Sequence, residues 1–103
     1  MIKITLLNEE GKKFTVQQKS IKTRSMRDLI KFHAEVEAVE NGNSEMTELD
    51  MIDKMIVVVA DMFMDPRVNF DSIQDSIDAD DLMPTIQGIF ESAMGATGEA
   101  KKA

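Results

Sequence analysis

The chain has 103 residues, 43% apolar and 30% charged, with a formal net charge of −7 and a pI near 4.6, the size and balance of one soluble globular domain that buries a core without covalent or metal staples. With no cysteine, it excludes disulfides, cysteine–zinc sites and thiol nucleophiles. Its acidity disfavours binding to nucleic-acid phosphates, and its longest apolar run, Met55 to Ala60, is too short to span a bilayer.

The opening MIKITLLNEE meets acidic residues before it gathers the apolar length of an export signal, so none is expected. Ile2, Ile4 and Leu6 alternate with Lys3 and Thr5, which is a strand pattern. Asn8 to Lys12 reads as a turn in which Gly11 can take a positive φ. Phe14 and Val16 continue into a second strand through Gln17 and Gln18. The pattern predicts a β-hairpin, which is marginal alone in water and must lie on helices or pair with other strands.

A first helix follows Lys22, with Thr23 or Ser25 as its cap and Asp28 three residues after Ser25, as in a capping box. Met26, Leu29, Ile30, His33 and Val36 form its apolar stripe, widened by Phe32 and Val39. Gly42 suits the left-handed position past its end. Ser44 is the expected cap of a second helix with Thr47 and Glu48 in its first turn. The β-branched run Ile56 to Val59 could form a strand. The stripe Leu49, Ile52, Ile56, Val59, Phe63 persists without a turn residue until Asp65-Pro66, which favours a helix. Apolar around much of its girth, this helix should be central. A short helix from Ser72 to Ile77, capped by Asp71, precedes a last helix that opens at Asp78 to Asp81. Leu82, Ile86, Ile89, Phe90 and Met94 should form the buried face of this last helix, with Pro84 about one turn in and Gly95 as its end. The fold class is therefore α+β, mostly α: an N-terminal β-hairpin followed by three to four helices. One domain is expected over residues 1–95, with 96–103, which lack large apolar side chains, as a flexible C-terminal tail.

No residue pattern points to catalysis, a cofactor or a metal. His33, the only histidine, has no second histidine or cysteine to join it as a ligand. Asp78, Asp80 and Asp81 lack the central glycine and terminal glutamate of a calcium loop and are better read as carboxylates at a helix start. Asp71-Ser72-Ile73 resembles the Asp-Ser-Leu context of the phosphopantetheine serine in acyl carrier proteins, with Ser72 as the candidate. The hairpin and the missing glycine-rich approach count against that reading, and Asp-Ser is a common cap. Nine methionines suit either ordinary core filling or an adaptable binding surface; their helical spacing favours core.

Taken in order, the segments resemble the tail assembly chaperones of long-tailed phages over about residues 1–95. The most specific part is Leu82-Met83-Pro84-Thr85-Ile86-Gln87-Gly88-Ile89-Phe90-Glu91-Ser92-Ala93-Met94-Gly95. Family members are similar in ending with Asp-Asp/Glu-Leu-Ile-Pro, an amphipathic helix and Met-Gly; Met83 replaces the commoner isoleucine. The hairpin, the acidic end of the first helix and the acidic second helix also fit. The resemblance implies a non-enzymatic chaperone that forms homo-oligomers in the host bacterial cytoplasm and coats the tape measure protein. It further implies help in recruiting tail tube protein and absence from the mature virion. Many family genes add a C-terminal extension by ribosomal frameshifting; Lys101-Lys102 could be encoded by a slippery adenine run, although a solvated lysine pair is the simpler account. A second reading is a small phage or bacterial protein-interaction adaptor. For contact with a partner, the candidate surface is Phe32, Val36 and Val39 on the first helix and Met83, Phe90 and Met94 on the last.

Overall fold

The computed structural model describes residues 1–42 and 45–97, and the side chains of residues 1–42 and 45–94. Two antiparallel strands, β1 (Ile2–Leu7) and β2 (Lys13–Gln18), are followed by four helices: α1 (Thr23–Glu40), α2 (Glu48–Met62), α3 (Phe70–Ser76) and α4 (Ala79–Thr97). The fold is α+β and mostly helical. In the hairpin turn the Asn8 side chain accepts from the backbone N–H groups of Glu10 and Lys12, both at 2.9 Å, and Gly11 adopts φ +79°. Strand alternation buries Ile2, Ile4, Leu6 and Val16 and leaves Lys3, Thr5 and Thr15 in solvent. The buried face of β1 packs on α3 and α4.

Helix α1 departs from its sequence reading in phase and in cap. Lys22 precedes it without a side-chain cap bond, so neither Thr23 nor Ser25 caps it. Ser25 is buried, and its hydroxyl donates to the Asp61 carbonyl at 3.1 Å. A small side chain there lets α1 approach the end of α2 and turns the buried line onto Ser25, Leu29 and Phe32, leaving Ile30 and His33 exposed. The helix ends at Asn41, with Gly42 at φ +75° as its sequence implies.

Helix α2 is helical through Ile56 to Val59. Its cap is Thr47, which accepts from Asp50 N at 3.1 Å while the Asp50 carboxylate accepts from Thr47 N at 3.2 Å. Thr47 therefore precedes the helix rather than entering its first turn, and Ser44, the expected cap, lies outside the described residues. Met55, Ile56, Val58, Val59 and Met62 are buried. Beyond it, Gln18 reaches from the end of β2 to clasp the chain. Its amide donates to the Met62 carbonyl at 2.6 Å, and its oxygen accepts from Met64 N at 2.7 Å. Phe63 and Val68 in this connection complete the core.

The cap of α3 is Asn69, paired reciprocally with Ser72, so the helix begins two residues earlier than expected and Asp71 lies in its first turn. Helix α4 buries Ile86, Ile89, Phe90 and Ala93, and it continues to Thr97, past the expected stop at Gly95. Of the tail expected over residues 96–103, positions 98–103 lie outside the described residues.

Two measurements check this framework. Phe63 is only 6% exposed, so Phe63→Ala should lower unfolding free energy by about 3–5 kcal/mol in urea titrations. The guanidinium of Arg67, hydrogen-bonded to Asp65 at 2.7 Å, holds that carboxyl at about 2, below its ordinary 3.8. Its support for the turn is complete above the ordinary value and fades as pH falls toward 2. An NMR titration should show this depressed midpoint, and Arg67→Ala should raise it only part of the way, because the backbone N–H of residue 67 still donates to the carboxylate at 2.9 Å.

Candidate partner-binding cleft

Three helices diverge enough to leave an apolar cleft of about 400 Å³. From α1 come Phe32 and Val36, spaced so that both meet the same side of the helix. Helix α2 contributes Met51, Ile52 and Met55, and α4 contributes Met83, Ile86 and Phe90. The polar lining consists of His33, Glu48 and Gln87. Phe32 and Phe90 meet edge to face with centroids 6.1 Å apart, and the His33 ring stands 5.8 Å from Phe90 at a similar angle. Next to the cleft, His33, Gln87, Phe90, Glu91 and Met94 line a second hollow of about 420 Å³. Neither hollow is lined by a lysine or arginine, and Glu48 and Glu91 make the charged contribution acidic. The nearby Lys54 is paired with Glu35 at 2.8 Å.

The residues singled out from sequence are placed unequally. Phe32, Val36, Met83 and Phe90 converge on the cleft, and Met94 lines the adjoining hollow. Val39 is half-buried and lines neither. Phe32 and Phe90 are only 5% and 7% exposed and so form the floor, whereas Met83 stands 48% exposed at the rim. The α2 contribution was not anticipated, because that helix reads as pure core. The available signal was its surplus of apolar positions, more than one face can bury: Leu49, between the cleft residues Glu48 and Met51, is 65% exposed.

Other candidate chemistry resolves into local structure. The Ser72 hydroxyl donates to the Arg67 carbonyl at 2.7 Å and accepts from Asn69 N at 3.0 Å, so it acts as a helix-capping group. Among the described residues no group of three or more His, Cys, Asp or Glu is arranged to hold a metal ion. No described helix is long and apolar enough to cross a membrane.

These features define a class: a small, mainly helical α+β domain with a greasy cleft between helices. The profile described as phage tail chaperone protein matches residues 1–103, and the chain belongs to that family. No curated protein and no solved structure matches it.

The cleft separates floor from rim in a way that stability measurements can read. Phe90→Ala should cost about 3 kcal/mol or more, because it removes a buried ring. Met83→Ser should change stability by less than about 1 kcal/mol, as expected of a surface position.

Proposed function

We propose that this tail chaperone multimerises, coats the tape measure protein and promotes tail tube assembly in the host bacterial cytoplasm, leaving before the virion is complete. The observation that carries this reading is the apolar cleft walled by α1, α2 and α4. A tape measure protein is expected to be a long helical chain with more apolar surface than it can bury itself, and an amphipathic helix laid in a groove is a recurrent mode of recognition. Met51, Met55 and Met83 supply flexible, polarizable contact that re-packs against changing sequence. Each contact can be weak, since many copies along one client act together and can still be displaced singly by tube subunits. The net charge of −7 keeps coated complexes soluble and apart. No catalytic step is part of this proposal.

Co-expression with the tape measure protein tests it. The wild-type chain should hold the client in the soluble fraction and co-purify with it. Met83→Glu, at the exposed rim, should retain the helical circular dichroism of the wild type and lose most of the co-purified client. Equal recovery of client with this variant would remove the cleft from the mechanism.

A further inference from the structure

The hairpin presents a surface unrelated to the cleft. Asn8 N donates to the Lys12 carbonyl at 2.9 Å, which marks that pair as hydrogen-bonded across the ribbon. Bonded and non-bonded pairs alternate in an antiparallel ladder. In the observed register, Leu6–Phe14, Ile4–Val16 and Ile2–Gln18 are therefore the bonded pairs. Lys3, Thr5 and Leu7, and opposite them Lys13, Thr15 and Gln17, turn their peptide N–H and C=O groups outward. Leu7 shows this directly, because its N–H leaves the ladder and donates to the Ser76 hydroxyl at 2.9 Å. The two outer edges differ in what meets them. The β1 edge is met at Leu7 by Ser76 of α3, and the face of β1 packs on α3 and α4, whereas β2 reaches a helix through the Gln18 side chain, bonded to Met62 at the end of α2. Arg67 over Phe14 and the Gln18 clasp both engage inward-facing side chains of β2 and not its outward peptide groups.

We propose that this open edge pairs antiparallel with the same edge of a second copy, about a twofold axis through Thr15, giving a four-stranded sheet ordered β1–β2–β2–β1. This inference rests on the multimerising reading and supplies its first contact. Of the devices that protect such an edge, β2 carries no proline, bulge or inward charge, and Lys13 is the one charge in the strand. The strand is self-complementary about Thr15. Lys13 falls opposite the partner's Gln17, so no like charges oppose each other. Thr15 meets the partner's Thr15, extending the Thr5–Thr15 hydroxyl contact seen at 2.9 Å within one chain. On the inner face, half-buried Phe14 meets the partner's Val16 and joins the two apolar rows into one. Charge points the same way. A chain of net charge −7 repels its copies least where it is least acidic, and residues 2–19 carry four lysines against two glutamates. No residue of β1 or β2 lines the cleft, which stays open in the pair.

Sedimentation of the purified full-length chain over a concentration series, alone and with a tape measure segment, tests this. The wild type should reach twice the 11.5 kDa chain mass. Gln17→Lys sets the introduced lysine against the partner's Lys13 twice per dimer, and also against Lys3 of its own hairpin, a pairing that the double variant with Lys13→Glu keeps; it should weaken dimerisation about tenfold or more without changing helical circular dichroism. Combining it with Lys13→Glu turns both repulsions into attractions and should restore the wild-type affinity or better. Should the wild type dimerise and Gln17→Lys do so equally well, the edge pairing is overturned while the multimerising reading survives. Should the wild type stay at the mass of one chain under every condition, both are overturned.

Discussion

A two-stranded antiparallel ribbon is marginal in water, and the one in this chain persists because Ile2, Ile4 and Leu6 leave solvent against the helices. Each such burial is worth about 1.5–3 kcal/mol. The constraint is mutual: α3 is only seven residues long and α4 carries a proline near its start, and both lean on β1. Helices α3 and α4 are therefore arranged on the ribbon's single apolar face, and α2 packs on both of them. The Gln18 clasp extends the same arrangement to the exit of α2 by giving Met62 and Met64 backbone partners at a point where the helix has ended.

The cleft follows from that geometry. Helix α4 packs on the hairpin and on α2, and α1 closes on α2 through buried Ser25 at one end. Farther along α1, Phe32 and Phe90 bridge the gap edge to face, with open space beside their rings. An apolar surface partly enclosed in this way avoids exposing a broad greasy patch, which would otherwise favour aggregation.

Much of the architecture was legible because periodicity carries it. Ile2, Ile4 and Leu6 against Lys3 and Thr5 has one sensible reading, and the long stripe of α2 outweighed the β-branched run from Ile56 to Val59. What escaped was set by partners distant in sequence. Nothing near Ser25 indicates that it will face the Asp61 carbonyl, yet that contact sets which side of α1 is buried and leaves Ile30 and His33 outside. Caps were misplaced by two or three residues where several Ser, Thr, Asn and Asp compete, and the reciprocal bonds of Thr47 with Asp50 and of Asn69 with Ser72 decide them. On the cleft, the amphipathic faces of α1 and α4 revealed Phe32, Val36, Met83 and Phe90. A helix apolar around its girth does not disclose which side its neighbours leave uncovered, and so Met51, Ile52 and Met55 of α2 stayed hidden.

The placement of β1 also bears on the order in which the polypeptide is made. Its apolar side chains precede by most of the chain the α4 residues against which they come to rest. Until α4 has left the ribosome, Ile2, Ile4 and Leu6 have no finished surface to occupy. Contacts of such long sequence separation form late and slow the search for the native state. The domain thus closes as a unit only once translation has passed its last helix, and the apolar cleft, which depends on α4, comes into being at the same moment.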